Sequence, residues 1–192
     1  MISAKIGHSL DPLILKLYRL FFRRYIINPN ILTVCGAVLS IGVCCAVAWG
    51  HLALGGVVLL VSGALDLMDG ALARSSDQVT PFGGFLDSVL DRYSDLLVMC
   101  GVLVYFMKQG DSLLSTVSFV AAIGIAIIPY AKARAEAASL SCNTGLLERP
   151  ERVVILLIGL LCNLLPYAAF ALAVLTHVTV LQRILYVKRQ IR

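Results

Sequence analysis

The stretch DLMDGALARSSDQVTPFGGFLDSVLD, residues 66–91, carries the carboxylates Asp66, Asp69, Asp87 and Asp91 between two runs apolar enough to sit in lipid. The run before it is LALGGVVLLVSGAL, residues 52–65, and the run after it is LLVMCGVLVYFM, residues 96–107. Asp66 and Asp69 stand three apart and Asp87 and Asp91 four apart, so each pair shares one face of a helix. The connection from Ser75 to Phe82 is short, which predicts two antiparallel neighbouring helices whose acidic faces converge at one end.

Four carboxylates so close repel one another and resist ionisation, and a hard divalent cation removes the conflict. All-oxygen ligation suits magnesium, manganese or calcium rather than zinc, and this many carboxylates have oxygens enough for two ions. The alternative is a set of structural salt bridges. Its nearby cations are Arg74 and Arg92, too few to balance the four acids plus Asp95. Gly70 leaves room beside Asp69 for a ligand, Gly83 and Gly84 do the same at the start of the second acidic helix, and Arg74 is placed to bind a phosphate bidentately.

The chain around this stretch is that of a polytopic membrane protein. Of its 192 residues 59% are hydrophobic and 14% charged, against roughly a quarter charged in soluble domains. Hydrophobic runs place spans at about Leu32–Trp49, Leu52–Ala73, Gly84–Met107, Leu113–Ala135, Pro150–Leu165 and Tyr167–Val187, with Asn30 as the cap of the first. A single helix over residues 153–181 would be about 43 Å long, too long for a hydrocarbon core of about 30 Å. A turn at Asn163 and Pro166 divides it. With the N-terminus in the cytoplasm, all of the 16 Lys and Arg residues except Lys108 fall at or near the cytoplasmic side. Before the spans, DPLILKLYRLFFRRYIINPN sets Leu13, Ile14, Leu17, Leu20 and Phe21 on one helical face and Lys16, Arg19 and Arg23 on the other. That pattern predicts an amphipathic helix lying at the interface.

The expected fold is therefore all-α. It is one membrane-embedded domain over residues 1–192, with a juxtamembrane helix at 9–28 and a bundle of six transmembrane helices at 31–190. Both termini and the acidic site face the cytoplasm of the cell (inner) membrane. MISAKIGHSLDP has neither the apolar core nor the small-residue cleavage site of a secretory signal. Cys35, Cys44, Cys45, Cys100, Cys142 and Cys162 form no CxxC and read as small buried residues rather than disulfides or thiolate ligands. The net charge of +5 reflects orientation, and no basic patch with interleaved aromatics suggests nucleic acid.

The pattern Asp66-x2-Asp69-Gly70-x2-Ala73-Arg74-x8-Gly83-x3-Asp87-x3-Asp91 resembles, at every fixed position, the signature of the CDP-alcohol phosphotransferases. The resemblance extends over most of the chain, including PNILT at residues 29–33. It implies transfer of a phosphatidyl group from a CDP-alcohol to an acceptor hydroxyl with release of CMP, at a site holding two magnesium or manganese ions. It also implies a homodimer. On this resemblance Asp66, Asp69 and Asp87 are metal ligands, and Asp91 is the general base and a further ligand. Asp66, Asp69, Gly70, Ala73, Arg74 and Thr33 line the nucleotide pocket.

Ser88 and Arg92 stand where glycerophosphate-using members tend to have proline and lysine. The chain resembles instead the branch that takes inositol phosphate. There the acceptor's phosphate is gripped by basic residues, here Lys132, Arg152 and Arg183, although basic residues at cytoplasmic helix ends also follow from topology alone. The expected reaction is CDP-diacylglycerol plus inositol phosphate giving a phosphatidylinositol phosphate and CMP. Glycerol 3-phosphate as acceptor and CDP-inositol as donor are the alternatives. A cation transporter is the alternative outside this class, disfavoured by acids clustered near one face and by the lack of a repeat.

Overall fold

The computed structural model describes residues 28–75 and 79–191. The amphipathic helix expected before the first span lies outside them, apart from its last residue, Asn28. Among the described residues there are six helices and no strand: α1 Pro29–Ala48, α2 Leu52–Ser75, α3 Pro81–Lys108, α4 Ser112–Ala137, α5 Arg149–Leu161 and α6 Leu165–Gln190.

Local chemistry sets the boundaries. The cap of α1 is Asn28 rather than Asn30: its side chain accepts from the Asn30 amide at 3.0 Å, and Pro29 occupies the first turn, where a missing N–H costs nothing. Thr80 caps α3 in the same way, accepting from the Gly83 amide at 3.0 Å ahead of Pro81, so this helix begins three residues before the expected Gly84. Asp111 caps α4 through the Leu114 amide at 2.8 Å. The expected break near Asn163 is present. Asn163 takes φ +58°, a left-handed conformation that asparagine tolerates, and it stops α5 at Leu161 rather than Leu165.

The helices close into a ring. α1 packs on α2 and on α3, α3 on α4, α4 on α6, α6 on α5, and α5 back on α2. α2 and α3 are therefore not the packed neighbours that their short connection suggested. Both lean on α1 instead, which leaves an opening between their acidic faces. Valines and leucines such as Val43, Val47, Val102, Leu160 and Leu172 fill the core. Glycines allow the closest approaches: a Cβ on Gly101 would stand 2.7 Å from the Cys44 carbonyl oxygen, and one on Gly124 would stand 2.0 Å from Thr176 Oγ1. Gly55, Gly56 and Gly159 likewise meet Val47, Leu161 and Ala168 of this same chain. Lipid gives little hydrophobic drive between helices, so such close contacts matter more than in water.

Outward faces carry Val38, Ile41, Leu54, Val57, Phe119 and Val174, all exposed. Ser40, Ser118, Thr176 and Thr179 return their hydroxyls to the carbonyl four residues back, so few polar groups are left open within the bundle. α1, α2, α4 and α6 are long and apolar enough to cross a membrane. α3 is as long, with 28 residues, but carries Asp87, Asp91, Arg92 and Asp95 between its N-terminus and its middle. α5, with 13 residues, is about 20 Å long, short of a full hydrocarbon core. The chain is an integral membrane protein by these spans.

Candidate active site

The acidic faces of α2 and α3 meet across the opening between them. One carboxylate oxygen from each of Asp66, Asp69 and Asp87 lies within 4.8 Å of the others. Asp69 is 6% exposed, and its Oδ2 has no hydrogen-bond partner. A buried carboxylate oxygen facing two more carboxylates is an unsatisfied arrangement that a divalent cation completes. The residues thus fit a divalent metal. The Thr33 hydroxyl, from the first turn of α1, lies beside Asp69 and donates to the Pro29 carbonyl at 3.2 Å.

Asp91 stands apart from that trio. Its Oδ1 takes Arg149 Nη2 at 2.9 Å, and its Oδ2 takes Arg92 Nη2 at 3.4 Å. Arg149 also binds Asp66 through Nη1 and reaches Asp95 at 3.8 Å. This arginine, on the first turn of α5, thus faces carboxylates from two other helices. It lies in GLLERPERV, residues 145–153, which also carries Arg152. Its place at the head of α5, directly before Pro150, was the available signal, since a helix starting there points the side chain into the site.

The remaining expected residues fall into place unevenly. Arg74 folds back over Gly70: a Cβ there would stand 3.2 Å from Arg74 Nη1, so the glycine makes the room in which the guanidinium sits. Ala73 lies half-buried on the same turn. A Cβ on Gly83 would be 3.1 Å from Asn30 Oδ1, so the heads of α1 and α3 approach closely there.

Lys132, Arg152 and Arg183 meet different partners. Lys132 is half-exposed, its Nζ 3.9 Å from Glu136. Arg152 is buried and spends its three nitrogens on Asp95 at 3.2 Å, the Ile125 carbonyl at 3.3 Å and the Glu148 carbonyl at 3.3 Å. Arg183 is buried too, donating to the carbonyls of Thr144 at 3.0 Å and Ile128 at 2.5 Å. Asp95 pairs with Arg152 and Arg149 rather than with Arg92, a structural role.

Two spaces adjoin the acids. A small cavity inside the ring is lined by Ser40, Ser62, Ser94, Asp95, Arg149 and Arg152 together with apolar residues such as Leu59, Val98, Ile125 and Leu156. An apolar groove on the lipid side, between α2 and α5, runs along Leu60, Leu67, Val154 and Leu157 up to Asp66 and Arg149.

A family model described as CDP-alcohol phosphatidyltransferase matches residues 26–182. The archaetidylinositol phosphate synthase of Pyrococcus horikoshii is 34% identical over 166 residues, covering 86% of each chain. The phosphatidylinositol phosphate synthase of Mycolicibacterium smegmatis is 37% identical over 169 residues, covering 82% of this chain and 76% of its own. The crystal structure of the Mycobacterium tuberculosis phosphatidylinositol phosphate synthase with CDP-DAG bound superposes with a TM-score of 0.79 at 31% identity, covering 92% of both chains. The same enzyme has also been solved in complex with manganese and citrate, again with a TM-score of 0.79 and 31% identity, covering 92% of this chain and 88% of that one. By the matched residues, which include the whole acidic motif, the chain belongs to the CDP-alcohol phosphatidyltransferase family.

Proposed function

We propose that this protein transfers the phosphatidyl group of CDP-diacylglycerol to a hydroxyl of inositol phosphate, forming a phosphatidylinositol phosphate and CMP. The observation that carries the reading is the trio Asp66, Asp69 and Asp87, drawn together from two helices at the mouth of a lipid-side groove. The relatives above support the acceptor, since bacterial and archaeal names alike describe an inositol phosphate product.

In this reading Asp66, Asp69 and Asp87 hold magnesium or manganese, two ions in all, with Asp91 contributing to the second. Bound there, the ions neutralise charge on the diphosphate and on the leaving CMP. Thr33, Gly70, Ala73 and Arg74 seat the cytidine nucleotide next to the trio. The lipid tails lie in the groove between α2 and α5, so the donor enters sideways from the bilayer. Asp91 takes the proton of the attacking hydroxyl as the new P–O bond forms and the bond to CMP breaks. Lys132, Arg152 and Arg183 supply the cations around the acceptor's phosphate, Lys132 being the most accessible of them. The six helices form the membrane bundle, with the acidic end of α3 at one interface and the short α5 entering there without spanning the full hydrocarbon core. The site and both termini face the cytoplasm, in line with the distribution of Lys and Arg. The enzyme works as a homodimer.

The test is CMP release by purified protein given CDP-diacylglycerol, magnesium and one acceptor at a time. Release with inositol phosphate and little with glycerol 3-phosphate is expected. Release with glycerol 3-phosphate alone would sink the acceptor, and no release with any acceptor would sink the reaction. Repeating the assay with an archaeol-based donor tests the lipid.

A further inference from the structure

We propose that Arg149 is the resident counter-cation of the acidic site and couples metal binding to donor binding. The inference rests on the reading of Asp66, Asp69 and Asp87 as metal ligands, and it concerns a residue outside that set.

Three observations carry it. First, the guanidinium touches Asp66, which belongs to the trio, and Asp91, at 2.9 Å, which does not. A unit positive charge is thereby fixed on a carboxylate that a divalent cation also needs. Second, Arg149 is held by its surroundings rather than by its own flexibility. Glu148 and Glu151 form a capping box at the head of α5, with the Glu148 amide donating to Glu151 Oε2 at 3.1 Å. The loop leading in is clasped by α6: Leu147 N donates to Thr179 at 3.1 Å and Leu146 N to Gln182 at 3.0 Å. Third, the residue stands where the lipid-side groove and the inner cavity meet, and it lines both. Its buried Nε makes no hydrogen bond and lies 3.8 Å from Asp95.

The electrostatics give the sign. In a partly buried site like charges are poorly screened, so a guanidinium on Asp66 opposes a divalent cation at the same carboxylate. The donor's diphosphate brings negative charge to the same place and gives the guanidinium another partner. Metal binding then becomes easier once donor is present, and by linkage donor binding becomes easier once metal is present. A purely structural arginine, holding Asp66 in its ligating rotamer, would act in the opposite direction: its loss would weaken metal binding.

The experiment is a Mn2+ titration followed by the paramagnetic signal of the free ion. Wild type, Arg149→Gln and Arg149→Lys are compared without acceptor, each with and without CDP-diacylglycerol. Expected is Mn2+ binding about tenfold tighter in Arg149→Gln without donor, a donor tightening effect smaller than wild type's in that variant, since the direct attraction between ion and diphosphate remains, and wild-type behaviour within about twofold in Arg149→Lys. Arg149→Met, neutral and similarly long, is measured alongside in case the glutamine variant does not fold. Unchanged or weaker Mn2+ binding in the neutral variants would overturn the proposal. So would failure of both neutral variants to assemble while the lysine variant does, since that marks a structural clamp. If wild type binds no Mn2+ at all, the metal reading itself falls. Absence of CMP release with intact Mn2+ coupling would sink the reaction and leave this inference standing.

Discussion

Arg152 and Asp95 face each other across the ring of helices, Nη2 to Oδ2 at 3.2 Å, with both side chains nearly sealed from water. In the proposed function this pairing competes with the acceptor for the arginine. Removing one partner of a buried pair leaves the other charge uncompensated, at a cost of about 3–5 kcal/mol. Arg152→Ala should therefore lower thermal stability as well as raise the KM for the acceptor. Arg152→Ala combined with Asp95→Ala should recover most of the stability and none of the acceptor KM. If the KM recovers with the stability, Arg152 holds the bundle and not the acceptor. Lys132→Ala is the complement: a raised acceptor KM with an unchanged melting temperature.

Asp91 lies outside the oxygen trio and is oriented by Arg149 and Arg92. Its proposed roles as base and as a ligand of the second ion only set it apart from Asp66, Asp69 and Asp87. Asp91→Asn should lower kcat by about 10²–10⁴-fold, the usual worth of a positioned base. The first Mn2+ bound should be nearly unaffected. Single-turnover CMP release and Mn2+ titration of the same preparation check both halves. A variant that retains wild-type turnover would remove the base assignment.

Asp69 offers the opposite profile. Its Oδ2 is buried without a partner, so the carboxylate is costly to keep unless a cation sits against it. Asp69→Asn should weaken Mn2+ binding by at least about tenfold and abolish CMP release with magnesium or manganese. Without metal the variant should be as thermally stable as wild type or more so, because a charge has left the interior. Chelator added to wild type should reproduce the loss of activity and remove any metal-induced rise in melting temperature.

Much of the site was legible because its information is local. Asp66 with Asp69, and Asp87 with Asp91, announce their shared faces by spacing alone, and Gly70 with Arg74 lie on adjacent turns of one helix. What was not legible depends on long-range packing. A short connection suggested that α2 and α3 pack together, but it limits only the distance between their ends, and α1 takes the contact surface of both. Arg149 lies 83 residues from Asp66 in the chain, and no periodicity links them. The carbonyls that Arg152 and Arg183 meet, those of Ile125, Ile128 and Thr144 among them, are likewise set by packing that the sequence does not reveal. The end of α5 was misplaced because the apolar pattern continues through Leu164 and Leu165, while the stop is a backbone conformation at Asn163.

Gly124 tests the ring itself. It lies on α4 against α6, where a Cβ would fall 2.0 Å from Thr176 Oγ1 and 2.6 Å from Thr176 Cβ. Thr176 is fully buried and its hydroxyl is tied to the Leu172 carbonyl at 2.7 Å, so the side chain has little room to turn away. Gly124→Ala must push the two helices apart, at about 1–3 kcal/mol for overpacking. Helix separation here also shifts the carbonyls that hold Arg152 and Arg183, since Ile125 and Ile128 lie on the same stretch of α4. The expected result is a melting temperature lower by several degrees and a raised acceptor KM, with the donor KM less affected because α2, which carries Asp66, Asp69, Gly70 and Arg74, does not pack on α4. Gly84→Ala is the control, because a Cβ there meets nothing within 4 Å and alanine favours a helix by up to about 1 kcal/mol. Equal losses at Gly84 and Gly124 would show that the contact between α4 and α6 does not set the stability of the bundle.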